Sequence, residues 1–378
     1  MKLRIPSYYE EFSCIADKCK DNCCIGWEID IDEETYSYYS KMPGELGDRL
    51  RKNIAKDSDG TNHFILDKNG FCPFLNEQKL CDICIHAGEE ALSEVCTEYP
   101  RFVVEYEDVR EKVLCLSCEE VGRIVFSKQE KVTILERELP DIMQYEEDDE
   151  EEESDAVYAK NLELARAVAI EILQDRTQPI RDRIVQYLYF GKSVQDLVST
   201  EQIFEHEIEK DKFLTLWQKD KRATENFSYE AFLERMMILE ELEVLDHEWR
   251  ETTKKLRTFF SKDNYATTHA EFLAGRKKQE TEYEQLLVYF TFRYFMKAYY
   301  DYNVFTKVVF AVVSYLAILD MSIERVNGTN AEFTLEDMID VARIYAKEVE
   351  HSEENMDLMA EEFAFDAIYQ LENIVKEI

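Results

Sequence analysis

The residues in this sequence best equipped for chemistry are its ten cysteines, and all of them lie in the first 118 positions. They stand at Cys14, Cys19, Cys23, Cys24, Cys72, Cys81, Cys84, Cys96, Cys115 and Cys118, and the 260 residues that follow contain none. Such segregation means that the N-terminal third is organised around sulfur, as metal ligands, iron–sulfur ligands or disulfides. Cys14-x4-Cys19-x3-Cys23-Cys24 places four thiols within eleven residues, so one short loop can fold them around a centre. Thiolates suit zinc at a tetrahedral site or the irons of a cluster. Adjacent side chains point in different directions, so Cys23 and Cys24 could face different centres. Cys81-x2-Cys84 and Cys115-x2-Cys118 have the spacing that lets two sulfurs share a metal. Ten thiols allow one centre with spares, or two four-ligand sites with two left over.

The elements that must position these thiols are short. In Ile25–Ile31, Ile25, Trp27, Ile29 and Ile31 alternate with Gly26, Glu28 and Asp30, which predicts a half-buried strand. Phe102–Tyr106 and Val113–Leu116 are further β-prone runs. Nine of the ten residues from Glu146 to Asp155 are acidic, a block that self-repels and reads as a linker. We therefore expect a cysteine-rich metal domain with little β structure over 1–134, a linker over 135–155 and an α-helical bundle over 156–378, a mainly α chain. Leu162, Ala165, Val168, Ala169 and Ile172 keep helical spacing. Pro179 suits the first turn of the next helix and Gly191 its end. Phe232, Met236, Leu239 and Leu242 form another stripe. Leu286–Tyr300 is apolar on nearly every side. Thr334 with Asp337 forms a capping box, and a last helix is expected from Asn355 to Lys376. About eight helices result.

Composition narrows the function. The net charge is −36 and the pI about 4.6, which argues against nucleic acid as a partner, because phosphate binding needs Lys and Arg. Met1–Ser7 is not followed by an apolar run, so a cytoplasmic protein with reduced thiols is expected, and metal ligation then outranks disulfides. Val304–Met321 is nearly continuous in apolar residues but holds Lys307. It reads as a buried bundle helix and not as a transmembrane segment, with peripheral membrane contact left open. No G-x-G-x-x-G follows a strand, so no dinucleotide-type adenosine site is visible. The Cys-x3-Cys-x2-Cys of enzymes that cleave S-adenosylmethionine at a cluster is also missing. Arg293, inside an aromatic helix, needs a charged partner.

Several segments together resemble the cysteine-rich family of flagellin lysine-N-methylase. They are Phe12-x-Cys14, Cys19-x3-Cys23-Cys24-x-Gly26-Trp27, Phe71-Cys72-Pro73-Phe74-Leu75, Leu80-Cys81-x-Ile83, Cys96-x2-Tyr99-Pro100-Arg101 and Leu116-Ser117-Cys118. Tyr289-x3-Arg293-x-Phe295 and Glu350-His351-Ser352-Glu353-Glu354-Asn355 extend the likeness through the helical part. The family's usual Cys-Pro-Glu is here Cys118-Glu119-Glu120. The resemblance implies a cytoplasmic enzyme that methylates flagellin lysines with S-adenosylmethionine and carries an iron–sulfur cluster, of the 4Fe-4S type, with zinc the alternative.

On that pattern the metal ligands are Cys14, Cys19, Cys23, Cys24, Cys72, Cys81, Cys96 and Cys118, with Cys84 and Cys115 as spares. Lysine must lose a proton before it attacks a methyl sulfonium, and His351, Glu353 and Glu354 are the candidate acceptors. His351 and Glu354 would share one helix face. Tyr99, Arg101 and Asn355 are the candidate donor-binding residues. Arg101 could grip the donor's carboxylate bidentately or brace the metal domain. By elimination the donor is expected in a cleft between the two domains, lined by Tyr99–Arg101 and His351–Asn355. The competing reading is a non-catalytic metal-binding or redox-sensing protein whose acidic helices bind a basic partner.

Overall fold

The computed structural model describes residues 1–27, 29–58, 60–139, 153–223, 227–276, 279–327 and 332–378. Most of the acidic block, from 140 to 152, and Glu28 of the expected strand lie outside the described residues. The chain is mainly helical. It opens with β1 (Lys2–Pro6), a cysteine-bearing loop and β2 (Asp30–Ile31), followed by α1 (Glu33–Lys41), α2 (Gly44–Lys52), β3 (Ile54–Lys56) and β4 (Asn62–Phe64). Next come α3 (Asp82–Ala87), α4 (Glu94–Glu98), the hairpin β5 (Arg101–Tyr106) and β6 (Val109–Leu114), α5 (Glu119–Ser127) and β7 (Ile134–Glu138). Helices then follow nearly end to end: α6 (Glu153–Leu173), α7 (Ile180–Ser199), α8 (Gln202–Glu205), α9 (Lys210–Thr215), α10 (Tyr229–Glu241), α11 (His247–Phe259) and α12 (Tyr265–Gly275). The last six are α13 (Glu280–Tyr294), α14 (Ala298–Asp301), α15 (Val304–Asn327), α16 (Leu335–Val349), α17 (Glu353–Phe365) and α18 (Leu371–Ile374).

Two apolar cores result. A small one holds Ile29, Ile31, Tyr39, Leu50, Phe64, Phe74 and Ile83, built on the sheet β2-β4-β3. The large one runs through the helices and takes in the second sheet, β5-β6-β1-β7, together with α5. β1 pairs parallel to β6 and antiparallel to β7. The hairpin and α5 are thus packed into the helical core, with the first strand paired to the hairpin, although they flank the thiols in sequence. A buried ion pair, Arg166 to Glu111 at 2.6 Å, joins α6 to β6. The interval expected to be linker begins with β7 and ends in α6, on either side of the undescribed acidic residues.

Local signals explain most boundaries. Asp32 caps α1 by accepting from Thr35 N, Ser352 caps α17 through Asn355 N, and Thr334 with Asp337 forms the expected capping box of α16. Pro179 stands at the cap of α7. Three details differ from the sequence reading. Among the described residues of Ile25–Ile31, Asp30 and Ile31 form a strand, and Gly26 adopts φ +94° and turns the chain before it. Gly191 is interior to α7; a Cβ there would lie 2.6 Å from Val308, so the glycine permits close contact with α15. The C-terminal helix stops at Phe365 and resumes as short turns. α15 is long and apolar enough to cross a membrane, but its apolar stretch is buried inside the protein.

Candidate functional site: a thiol-lined cavity against helix α16

The loop from Phe12 to Trp27 is held by polar contacts along its length. Lys20 N donates to Glu119 Oε2 at 2.8 Å, Cys24 N to Asn22 Oδ1 at 2.9 Å, and Trp27 Nε1 to Cys23 O at 3.0 Å. Cys72 N donates to Cys24 O at 2.9 Å, which ties the two thiol-bearing segments together. Cys81 and Cys118 cap α3 and α5, and Cys96 lies in α4. The fold gathers these elements around one cavity of about 630 Å³.

Eight cysteines line that cavity: Cys14, Cys19, Cys23, Cys24, Cys81, Cys84, Cys96 and Cys118. All ten are free thiols. Cys72, expected among the ligands, is buried in the small core, against which Cys24, Cys81 and Cys96 also pack. Cys84, expected as a spare, faces the cavity, whereas Cys115 is buried away from its lining. Burial pushes Cys19, Cys72 and Cys118 up to about 12 and Cys96 up to about 11, while a hydrogen bond from the Cys24 thiol to the Cys23 sulfur holds Cys23 low. Among the described residues, no three His, Cys, Asp or Glu side chains converge tightly enough to hold a single metal ion.

The helical part completes the wall. Arg343 of α16 lines the cavity and donates to Asp21 Oδ2 at 2.6 Å. One turn on, buried Lys347 reaches the same Asp21 oxygen at 3.1 Å and Asp246 at 3.0 Å. Its Nζ also lies 5.2 Å from the Trp27 ring centre. Asp21 is thus clamped between two cations, and the cysteine loop is fastened to α16.

Tyr99 and Arg101 both line the cavity. The Arg101 guanidinium rests 5.2 Å from the Phe12 ring centre. Beside Tyr99 lies His351, its ring stacked on Trp27 at 4.6 Å and met edge-on by Phe102 at 5.4 Å. His351 Nε2 is 2.8 Å from Ser117 Oγ and 3.4 Å from Cys115 Sγ. Burial, reinforced by Arg293, pushes His351 down to about 4, so its imidazole is neutral near pH 7. The other expected acceptors are elsewhere: Glu353 and Glu354 are exposed in the first turn of α17. Asn355 is buried but committed to bracing, since its amide donates to Glu243 O and Glu348 O and accepts from Glu243 N.

Sequence reasoning missed Ser117 and Glu350. Glu350 is fully buried and accepts from Tyr289 at 2.8 Å and Tyr294 at 2.7 Å, with Arg293 at 3.1 Å. Arg293 thereby finds its counter-charge, and its guanidinium lies 3.9 Å from the Phe102 ring centre. Burial still pushes Glu350 up to about 7, and its second oxygen has no hydrogen-bond partner among the described residues. The available signal was the place of Ser117 and Glu350 in segments that carry the family likeness, Leu116-Ser117-Cys118 and Glu350–Asn355.

The cysteine-bearing segments and the helical body thus enclose one cavity, lined by eight free thiols and walled on one side by α16. The FliB lysine N-methylase C-terminal domain model matches residues 166–376, more than half of the chain, so the chain belongs to the FliB lysine-N-methylase family. It is 29% identical over 148 residues to a lysine-N-methylase of Salmonella typhimurium, and equally to one of Salmonella choleraesuis. Each match covers 35% of this chain and only 35% of the relative's length. It is 30% identical over 145 residues to the flagellar biosynthetic protein FliU of Salmonella muenchen, covering 35% of this chain and 81% of that protein. No solved structure matches the chain.

Proposed function

We propose that the chain is a cytoplasmic protein-lysine N-methyltransferase acting on flagellin, with S-adenosylmethionine as donor and an iron–sulfur cluster held by its cysteines. The observation that carries this reading is the gathering of eight free thiols with Tyr99, Arg101 and Arg343 around one cavity, in a chain of the FliB family. The donor set fits a cluster: thiolates are its usual ligands, and eight of them line one cavity. The cavity's volume is within the range of small-ligand sites. Arg101 is the group suited to a donor carboxylate, and Trp27, Tyr99 and Phe12 offer aromatic faces beside it.

S-adenosylmethionine supplies a methyl group on a sulfonium, open to attack by a neutral amine. The chain's own residues would bind the donor, exclude water and accept the lysine proton. Lys347 offsets thiolate charge at Cys23, and with Arg343 it anchors Asp21. The test is incubation of flagellin with the purified, cluster-loaded protein and the donor, followed by mass spectrometry for methylated lysine.

A further inference from the structure

We propose that the stretch from α3 to α4 is the docking wall for the protein substrate, and that it selects a lysine flanked by apolar residues. This rests on the lysine-methylation reading above and adds what the site recognises around the target. The cavity has two kinds of lining. Arg101, Glu119 and Arg343, from β5, α5 and α16, supply polar groups. The stretch from α3 to α4 and the residues just before it supply Leu80, Ile85, Leu92 and Val95. Ile85 in α3 and Val95 in α4 are 52% and 48% exposed. Of the large apolar side chains left exposed among the described residues, these two line the cavity. Single exposed apolar residues are ordinary, but a pair of them on the wall of a pocket marks a contact surface. Ile83 and Ala91 anchor the same stretch in the small core, so the pair is presented by a fixed surface.

Charge identifies the occupant. Three carboxylates line the cavity, those of Asp21, Glu89 and Glu119. Asp21 is held by Arg343 and Lys347, and Glu119 by Arg123 and the Lys20 N–H. Glu89 is exposed in the turn between α3 and α4, and its carboxylate makes no ion pair or hydrogen bond among the described residues. Glu90 and Glu94 are exposed on the same stretch.

An uncommitted carboxylate beside an apolar surface complements a lysine side chain, an ammonium carried on a four-carbon apolar stem. Glu89 draws the ammonium to the rim, and the stem and the side chains next to it in the substrate cover Ile85 and Val95. Taking the stem out of water also disfavours the charged amine, which favours the neutral form that attacks the methyl group. The occupant is a segment of another protein and not a second copy of this chain, because two surfaces of a protein with net charge −36 repel each other.

The experiment uses the cluster-loaded protein, flagellin and two synthetic peptides that differ only in the residues on either side of one lysine, leucine in the first and serine in the second. For the parent, kcat/KM should favour the leucine peptide by about tenfold, the worth of covering part of two such side chains. Ile85→Ser and Val95→Ser should each cut that preference to about threefold, since the other residue keeps its share of the contact. Ile85→Leu, which keeps the apolar surface, should keep the preference. Glu89→Lys should raise KM for both peptides by at least about threefold, the scale of an exposed ion pair, and leave their ratio unchanged. Bound iron and donor affinity are measured for every protein; a general loss of structure lowers both peptides together and does not move the ratio. A parent that methylates flagellin but treats the two peptides alike, turnover of neither included, overturns the docking wall alone. So does an undiminished preference in Ile85→Ser and Val95→Ser. If one of these loses its iron the other decides, and if both do, an unchanged KM in Glu89→Lys overturns the wall. A parent that methylates neither flagellin nor a peptide overturns the functional reading, and the wall with it.

Discussion

Cys23 and Cys24 are neighbours in the chain, yet the fold gives them different surroundings. Cys23 is exposed at the cavity, while Cys24 packs toward the small core with Cys72, Cys81 and Cys96. Cys115 belongs to neither place and sits against Ser117 and His351. Replacing Cys23 or Cys24 by serine should remove most bound metal, and Cys115→Ser should leave it in place; iron and sulfide analysis of the three proteins checks this. Glu350 makes a second residue-scale test. Its carboxyl is raised from about 4.5 to about 7 in the folded protein. The folded state therefore binds a proton that the unfolded state has released, so stability falls as pH rises from about 4.5 through 7. Glu350→Gln mimics the protonated form. It should match the parent near pH 5 and exceed its stability by up to about 3 kcal/mol at pH 8, at about 1.4 kcal/mol per pKa unit. Urea midpoints at the two pH values measure it. A variant weaker than the parent at pH 8 would mean that the Arg293 pair outweighs burial.

Among the elements, α7 and α15 show where sequence signals compete. Gly191 reads as a helix stop because glycine lacks helix propensity, but it lies mid-helix where Val308 leaves no space for a methyl group. Gly191→Ala gains about 1 kcal/mol of helix propensity. The added Cβ overlaps Val308, and such overpacking costs about 1–3 kcal/mol. The rigid packing should prevail, giving a net loss in thermal stability; a higher melting temperature would show that α15 yields. The helices themselves were legible, because caps such as Thr334–Asp337 and apolar stripes are local features. The strand expected at Ile25–Ile31 failed because alternation cannot register a turn at Gly26 that exists to bring Cys24 beside Cys72. β1 and β7 could not be read either, since their pairing joins residues more than a hundred positions apart.

Across the whole molecule, the two parts seen in the sequence interlock. The β5–β6 hairpin and α5 join the helical core, the first strand pairs with that hairpin, and Asp21 fastens the cysteine loop to α16. The thiol site was legible from cysteine crowding, and the nearness of Tyr99 to His351 from the family likeness. Ser117 and Glu350 lay inside segments of that likeness, Leu116-Ser117-Cys118 and Glu350–Asn355, but nothing in the sequence set them apart from their neighbours until the fold enclosed them. The acidity, −36 overall, suits a partner with basic segments, as a lysine-bearing substrate would present. The central claim is methyl transfer, and mass spectrometry of flagellin tests it most directly. Flagellin incubated anaerobically with the cluster-loaded protein and S-adenosylmethionine should gain methyl groups on lysine, and should gain none with the Cys24→Ser protein. Unmodified flagellin, despite full metal loading and bound donor, would contradict the account and leave the chain a metal-binding or redox-sensing protein.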